Sequence, residues 1–452
     1  MRQFIAFAAL LAATTLADAA RKLNVVVILA DDLGYADVGF NGCKDIPTPN
    51  IDSLAKHGVR CANGYVSHSF CSPTRAGLMT GRYQQRFGHE NNPAYLPEDT
   101  KVGLPLSQAT IADVLKSAGY VTGAIGKWHL GAAPCFHPNE RGFMEYFGFL
   151  GGGHIYLPGM KGGPEYTVPL LRNKEPLELK DYVTDVLSAE AAAFVTRHKA
   201  EPFYLYVAYN AVHTPLQAPE KYLSRFAGIT DERRRIYAAM TSAMDDGIGR
   251  VLAALRDNGI ERDTMVWFFS DNGGPVETVA PTRNDPLRGN KGTLYEGGIR
   301  VPFVVQWRAG LPEGTVCEQP VISLDVLPTA AALAGAKLPA SLKLDGVNIT
   351  PHLKGEVKTP PHERLFWRMG GGASWAVREG RHKLVKPGKD ATPQLFDLNN
   401  DIGEAKDLAG EKPGMVARLQ AAFDAWNAEL IPPIFEGPKP AAKKAKRAAK
   451  KK

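Results

Sequence analysis

Two pairs of polar residues follow apolar runs that we interpret as buried strands. Asp31 and Asp32 come directly after one such run. Asp271 and Asn272 follow another in the same manner. Ligands of open parallel sheets bind outside the carboxyl ends of the strands. Three carboxylates and one amide oxygen are hard ligands, which favour Ca²⁺ or Mg²⁺ over zinc. Each pair alone is more typical of a turn or a helix cap, so the metal-site prediction depends on their combination.

The most specific pattern in the chain runs from Cys71 to Arg82, with the sequence Cys-Ser-Pro-Thr-Arg-Ala-Gly-Leu-Met-Thr-Gly-Arg. It resembles the signature of the sulfatase family, Cys-x-Pro-x-Arg followed by small residues and Thr-Gly-Arg. In that family a maturase reads this motif and oxidises the cysteine to Cα-formylglycine. The resemblance therefore implies the same modification of Cys71. From the residues alone, a buried or disulfide-bonded structural cysteine remains the alternative.

The resemblance covers most of the chain between Asn24 and Leu408. The other similar blocks, in the family's order, are Asn24–Gly34, Thr48–Gly58, Gly126–Gly131, Arg141–Phe149, Ser270–Gly274, Arg288–Arg300, and Leu395–Leu398 with Glu404. The resemblance implies an alkaline-phosphatase-like α/β fold, with a large mixed sheet flanked by helices.

The resemblance also assigns the metal ligands residue by residue. It implies one Ca²⁺ per site, bound by Asp31, Asp32, Asp271 and Asn272. Residue Cys71, in its formylglycine form, would complete the coordination. The choice between Ca²⁺ and Mg²⁺ is left open by the residues themselves.

Five further residues match catalytic positions of the family. Arg75 would orient and stabilise the formylglycine. Lys127 and His129, in Gly-Lys-Trp-His-Leu-Gly, would contact the sulfate and the formylglycine hydroxyls. His213 would lie on the leaving-group side as a general acid, and Lys291 would contact the sulfate and the bridging oxygen. Considered singly, each could be a structural histidine or a solvated lysine, so the interpretation depends on their joint occurrence.

The substrate prediction depends on two segments. Gln84–Glu90 and Gly151–His154 resemble segments of exported bacterial sulfatases that act on sulfated glycans. His89, His154 and Arg283 are candidates for holding a sugar hydroxyl or a second anionic group, and ordinary loop residues are an equally good interpretation. We expect a sulfated carbohydrate based on galactose or N-acetylgalactosamine.

The apolar patterning predicts the elements that position these residues. Further β-branched or aromatic runs at Val121–Ile125, Phe203–Ala208 and Val301–Trp307 predict strands. Apolar residues at helical spacing between Tyr237 and Leu255 predict a long amphipathic helix. Strands that alternate with helices indicate an α/β domain with a mostly parallel sheet.

The composition changes near Thr359-Pro360-Pro361, which predicts a catalytic domain over residues 20–358. Short strand-like pieces and a final amphipathic helix follow. They predict a C-terminal subdomain over residues 359–436, built from a smaller antiparallel sheet and one helix. Residues 437–452 form a Lys-rich tail that we expect to be disordered.

The N-terminus is typical of a targeting segment. Arg2 precedes the apolar run Phe4–Leu16 and an Ala-Asp-Ala pattern ending at Ala19. We interpret residues 1–19 as a secretory signal peptide, so the protein would be exported to the periplasm or secreted. The run is too short to span a bilayer, and no later stretch is predicted as a transmembrane helix.

The five cysteines are an odd number, which flags one special cysteine in an exported protein. If Cys71 becomes formylglycine, the other four could pair; they are Cys43, Cys61, Cys135 and Cys317. Their pairing and the oligomeric state are left open by the sequence.

Charge and composition exclude several classes of protein. Hydrophobic residues make up 44% and charged residues 22%, which excludes a disordered chain or a small disulfide scaffold. The net charge of +7 is smaller than the eight cations between Lys439 and Lys452, so the rest of the chain is nearly neutral. Nucleic acid is therefore not an expected partner. The tail is interpreted as a solvated extension, or as a device that retains the enzyme on an anionic polysaccharide.

Three alternatives compete with a sulfatase. A phosphodiesterase or phosphonate monoester hydrolase of the same superfamily would share the nucleophile, but the Lys127, His129 and Lys291 blocks favour sulfate. A catalytically silent glycan-binding protein would not need every catalytic position to be filled. A two-metal phosphatase needs a second oxygen-rich ligand set, and the sequence offers one.

Overall fold

The computed structural model of the chain describes residues 22–339 and 342–437. The predicted signal peptide and tail residues 438–452 lie outside the described residues. The architecture within this part of the chain is a large mixed sheet with helices on both faces and a small C-terminal antiparallel sheet with one helix. The predicted fold class is therefore confirmed.

The strands of the described residues are numbered in chain order: β1 Asn24–Ala30, β2 Val59–Cys61, β3 Gly64–Tyr65, β4 Val121–Lys127, β5 Glu145–Phe149, β6 Leu170–Arg172, β7 Glu175–Leu177, β8 Phe203–Ala208, β9 Thr264–Ser270, β10 Phe303–Gln306, β11 Thr315–Cys317, β12 Val321–Ile322, β13 Arg364–Met369, β14 Ser374–Glu379, β15 His382–Lys386 and β16 Gln394–Asp397. The α-helices of the same residues are α1 Pro49–Lys56, α2 Cys71–Thr80, α3 Ile111–Ser117, α4 Val183–Arg197, α5 Glu220–Leu223, α6 Glu232–Asp257, α7 Glu296–Ile299, α8 Val326–Ala334, α9 Thr350–Leu353 and α10 Pro413–Asn427.

The large sheet of the described residues has the order β11-β2-β10-β9-β1-β8-β4-β5-β6-β7. Its centre, from β9 through β1, β8 and β4 to β5, is parallel throughout. Antiparallel pairs occur on both flanks, where β10 joins β9 and β6 joins β5. The carboxyl ends of the central strands consequently meet at one edge of the sheet.

Both faces of the central sheet are buried. Along β1, Val25, Val27 and Leu29 point into the apolar cluster formed with α2, α3 and α8. The alternate residues Val26 and Ile28 point into the cluster formed with α1, α4 and α6. This two-sided burial explains why β1 is a continuous apolar run, as is typical of parallel sheets.

The C-terminal subdomain packs β13–β16 against α10. The ring of Trp375 on β14 stacks on Phe423 of α10, with centroids 4.4 Å apart. The Lys383 side chain of β15 is fully buried and lies 2.8 Å from Glu296 of α7 and 3.0 Å from Glu404. This buried charge cluster therefore connects the small sheet to α7 of the large domain. The division at residues 358 and 359 stays a prediction.

The described cysteines are all free thiols. Cys61 of β2 and Cys317 of β11 are register neighbours, and no disulfide joins them. Among the described residues, no helix combines the length and apolar character needed to cross a membrane.

Candidate active site

Two neighbouring strands deliver the acidic residues. β1 and β9 are parallel, with Ala30 opposite Ser270 at their ends. Asp31 and Asp271 are the next residues of the two strands, and the Asp271 amide donates to the Ala30 carbonyl at 3.0 Å. The two predicted pairs therefore lie side by side at the carboxyl edge of the sheet.

The acidic groups converge on a point that suits a cation. Asp31, Asp32, Cys71 and Asp271 each offer a ligand atom, and these atoms lie within 4.8 Å of one another, all of them buried. The Asn272 carbonyl oxygen Oδ1 is also buried and has no hydrogen-bond partner in the described residues. A buried oxygen without a donor is rare, and a hard cation would satisfy the Asn272 oxygen. The residues present therefore fit a Ca²⁺ or Mg²⁺ ion.

Three cationic side chains surround the carboxylates. The Lys127 ammonium contacts the Asp31 carboxylate. The Arg75 guanidinium donates to Asp271 Oδ2 at 2.7 Å and is fully buried. On the outer side, Lys291 Nζ lies 2.7 Å from an Asp32 oxygen. Positive charge therefore rings the position where an anionic ester would bind.

Asp32 and Lys291 shift each other's pKa values in opposite directions. Burial raises the pKa of Asp32, but Lys291 and His213 hold it well below its ordinary range. Burial lowers the pKa of Lys291, whereas Asp32 raises it well above its ordinary value. Both groups are consequently charged at neutral pH.

Cys71 is the first residue of α2, and every residue of this helix is buried. Its Sγ lies 3.6 Å from Asp31 Oδ1 and 3.2 Å from Lys291 Nζ. Arg75 follows one helical turn later on the same helix, so both side chains reach the acidic cluster. Burial raises the pKa of the Cys71 thiol to about 12, so the unmodified thiol is a poor nucleophile at neutral pH.

Two histidines complete the cluster. His129 follows β4 in a left-handed conformation, with φ of 57°, and its buried Nδ1 has no hydrogen-bond partner in the described residues. His213 Nδ1 lies 2.6 Å from the Thr214 carbonyl, so Nδ1 carries a proton and Nε2 faces Asp32 Oδ2 at 3.6 Å. Burial lowers the pKa of His129 well below its usual value and that of His213 to about 3. Both rings are therefore neutral in the free site.

The three predicted sugar-binding residues do not contact the charged groups of this cluster. His89 is fully buried, and its Nε2 lies 2.7 Å from the Ser72 hydroxyl. His154 is 3% exposed, with ring nitrogens 2.6 Å and 2.9 Å from the Ile155 and Val168 carbonyls. Both rings are therefore enclosed by protein contacts, and their role in substrate binding stays a prediction.

Arg283 is the half-exposed member of that predicted set. Its guanidinium lies 3.3 Å from Asp45 at the surface, and its amide donates to Asp37 Oδ2 at 2.9 Å. Its predicted role in substrate binding stays a prediction.

Sequence reasoning missed two supporting residues. Ser72 donates to the His129 carbonyl at 2.6 Å, which holds the His129 loop against α2. The Tyr206 hydroxyl of β8 lies 3.3 Å from Arg75 Nη1. Ser72 and Tyr206 lie 57 and 131 positions from these partners along the chain, so no local pattern could have indicated them.

Two known protein families match this chain. The Sulfatase family matches residues 23–336. The family described as N-sulphoglucosamine sulphohydrolase, C-terminal, matches residues 289–425. The two matches together span both the large sheet and the small C-terminal sheet.

Two individual relatives of this chain are also named as sulfatases. Human arylsulfatase A is 34% identical over 453 residues, covering 89% of this chain and 87% of that protein. Mouse N-acetylgalactosamine-6-sulfatase is 34% identical over 396 residues, covering 81% and 72%. A crystal structure of Ps i-CgsB in complex with k-i-k-neocarrahexaose superposes with a TM-score of 0.86 at 40% identity, covering 91% of this chain and 94% of that one. The chain belongs to the sulfatase family of sulfuric ester hydrolases.

Proposed function

We propose that this protein hydrolyses a sulfate monoester on a carbohydrate, with residue 71 acting in its formylglycine form. The observation that carries the proposal is the convergence of Cys71 with three buried carboxylates and with Lys291. A thiol whose pKa is raised by burial has no evident use at such a point. An aldehyde hydrate there would present two hydroxyl groups to a bound sulfate.

Asp31, Asp32, Asp271 and Asn272 would hold a Ca²⁺ ion, together with residue 71. The ion would neutralise sulfate oxygens as charge redistributes in the transition state. The unpartnered Asn272 Oδ1 supports this assignment, because nothing in the described residues otherwise satisfies it.

The attack on sulfur would come from one hydroxyl of the hydrated residue 71, which would enter the step as an alkoxide after losing its proton to solvent. A new oxygen–sulfur bond forms as the bond from sulfur to the sugar oxygen breaks. Negative charge at residue 71 is favoured by the N-terminus of α2 and by Lys291, whose Nζ lies 3.2 Å from the Cys71 Sγ. Lys127 and Arg75 balance the carboxylates beneath it.

His213 would donate a proton from Nε2 to the departing sugar oxygen. Its pKa is low in the free site, so it must gain the proton when the anionic substrate binds and raises that pKa. The Thr214 carbonyl holds Nδ1, which leaves Nε2 as the nitrogen that exchanges the proton.

His129 would act in the second step. As a neutral imidazole it can take the proton of the remaining hydroxyl on residue 71. The carbon–oxygen bond to the sulfate then breaks, the aldehyde is restored, and sulfate leaves. A serine sulfate has no second hydroxyl, so it could not follow this route.

The substrate class we favour is a sulfated galactan. The similar structure of Ps i-CgsB is a complex with k-i-k-neocarrahexaose. The identity of 40% over 91% of this chain supports a related substrate here. We also propose that the protein is exported after removal of residues 1–19. Its catalytic domain would span residues 20–358, and its C-terminal subdomain would span residues 359–436. A formylglycine-generating maturase would modify Cys71.

The test combines a mass measurement with a substrate panel. The peptide containing Cys71, from protein made in a host with a maturase, should have the mass of the aldehyde or its hydrate. The same preparation should release sulfate from carrageenan oligosaccharides and leave phosphate diesters and phosphonate monoesters unchanged. An intact thiol in active protein would contradict the mechanism, and faster phosphodiester turnover would favour the phosphodiesterase alternative.

A further inference from the structure

The chain between β5 and β6 passes directly over the two catalytic histidines. An added Cβ on Gly152 would meet His129 Nε2 at 2.8 Å. One on Gly153 would meet the Tyr166 ring at 2.4 Å and His213 Nδ1 at 3.4 Å. The backbone of these glycines therefore forms one wall of the site, with Tyr166 on its far side beside His213.

Tyr166 is more buried than its neighbours in this loop. Its neighbours 158–165 and 167 are exposed, whereas Tyr166 itself is half-buried. Its amide donates to the Gly163 carbonyl at 2.8 Å, and its carbonyl accepts from the Ile155 amide at 2.9 Å. The ring centroid lies 6.1 Å from that of His213, at an interplanar angle of 50°.

The surroundings of this ring are not those of a core aromatic. Tyr166 belongs to none of the hydrophobic clusters of the described residues. No hydrogen bond to its hydroxyl contributes to its pKa within that part of the chain, and the charges of Lys291, Asp31 and Asp32 act on it. Burial raises the pKa of this phenol, so it stays neutral and can donate or accept.

Together these features match what a sugar needs at the leaving-group side of the reaction. A pyranose ring presents an apolar face of C–H groups and a rim of hydroxyls. An aromatic ring with a free hydroxyl can contact both. His213 would protonate the departing sugar oxygen, so a ring beside His213 lies where that sugar must be.

We infer that Tyr166 is a specificity-determining residue that holds the sugar carrying the scissile sulfate, through ring contact and one hydrogen bond from or to its hydroxyl. This inference rests on the proposed function, because it places the sugar relative to the proposed general acid. The backbone hydrogen bonds of Tyr166 fix its main chain before substrate arrives.

The test compares Tyr166→Ala and Tyr166→Phe with the wild-type enzyme carrying formylglycine. Kinetics on a carrageenan oligosaccharide should show KM raised about 10- to 100-fold by Tyr166→Ala and several-fold by Tyr166→Phe, with a smaller change in kcat. The inhibition constant of inorganic sulfate should stay within about twofold, because sulfate fills the catalytic pocket without a sugar. Met160→Ala, at the exposed turn of the same loop, is the matched control and should change neither value.

A second measurement separates this inference from the proposed chemistry. Isothermal titration of the oligosaccharide into Cys71→Ala protein needs no turnover, and adding Tyr166→Ala should weaken the affinity by a similar factor. This loss of oligosaccharide affinity would support the contact between Tyr166 and the sugar, even if the wild-type enzyme hydrolysed an ester other than a sulfate. An unchanged KM and affinity would overturn the inference. So would a parallel rise in the sulfate inhibition constant, which would make the ring a support of the pocket.

Discussion

Lys291 Nζ lies 3.2 Å from Cys71 Sγ, although the two residues are 220 positions apart in the chain. Lys291 also contacts Asp32, so one ammonium group lies between the proposed nucleophile and one of the predicted metal ligands. Charge at residue 71 and charge on a bound sulfate would therefore be neutralised by the same group.

Removal of the nucleophile is the most direct test. Cys71→Ala and Cys71→Ser should both abolish turnover, by about 10³-fold or more, because neither side chain can form an aldehyde hydrate. Thermal unfolding should show a retained fold for both. Cys135→Ser, at a half-buried cysteine outside the cluster, is the control and should keep full activity. Full activity in Cys71→Ala would refute the mechanism.

Loss of the general acid should depend on the leaving group. His213→Ala should slow alkyl or sugar sulfates about 10²- to 10⁴-fold, because their alkoxides need a proton as they depart. An activated aryl sulfate such as 4-nitrophenyl sulfate should lose far less, since its phenolate leaves without one. Steady-state kinetics on both substrates would measure the difference. Equal losses on the two would count against the role of His213.

Replacement of Lys291 should act on the sulfate itself. Lys291→Met keeps most of the side-chain length and removes the charge beside Asp32 and Cys71. We expect kcat to fall about 10²- to 10³-fold on sugar and aryl sulfates alike, as for other transition-state charge contacts. This uniform loss contrasts with the leaving-group dependence expected for His213. A loss restricted to sugar sulfates would argue for a substrate-binding role instead.

Metal removal should lower both activity and stability. Treatment with a chelator should remove activity and lower the Tm, because a ligand present at 100 times its Kd contributes about 2.7 kcal/mol to folding. Readdition of Ca²⁺ should restore both. Asn272→Leu removes the unpartnered oxygen and should raise the Ca²⁺ concentration needed for half-recovery of Tm. A Tm that is indifferent to chelator and to Ca²⁺ would contradict the metal site.

The buried charge cluster of the C-terminal subdomain should make stability depend on pH. Burial raises the pKa of Glu404 from 4.5 to about 7, with Glu296 opposing its ionisation and Lys383 favouring it. The folded state therefore keeps the Glu404 proton between about pH 4.5 and 7, whereas the unfolded chain releases it. The free energy of unfolding should consequently fall as pH rises through this window, by up to about 1.4 kcal/mol per pH unit.

Glu404→Gln should remove this contribution, since glutamine keeps the neutral form at every pH. Denaturant unfolding of wild type and variant between pH 4.5 and 7.5 would measure the difference in slope. The free energy of unfolding of the variant should therefore increase relative to that of the wild type as pH rises. Identical slopes would show that Glu404 ionises normally in the folded protein.

Local patterns were sufficient to predict the central strands and to select the main candidates for the site. The run Phe203–Ala208 is observed as β8 with the same bounds, because β-branched and aromatic residues suit a strand buried on both faces. Cys71 and Arg75 were recognised within one twelve-residue motif, and α2 indeed carries both. The predicted strand at Val301–Trp307 is shorter in the structure, Phe303–Gln306, where it pairs antiparallel to β9.

The sequence by itself thus determined the family, the fold class, and the identity of the metal-binding and catalytic candidates. These properties depend on residue types within short segments, whose strand, turn and helix preferences are local. Only the tertiary structure decided that His89 and His154 are enclosed by protein and that Tyr166 stands beside His213. It also decided the strand order that brings Cys71 to Lys291. Such contacts depend on the packing of segments far apart in the chain, which no spacing within a single segment records.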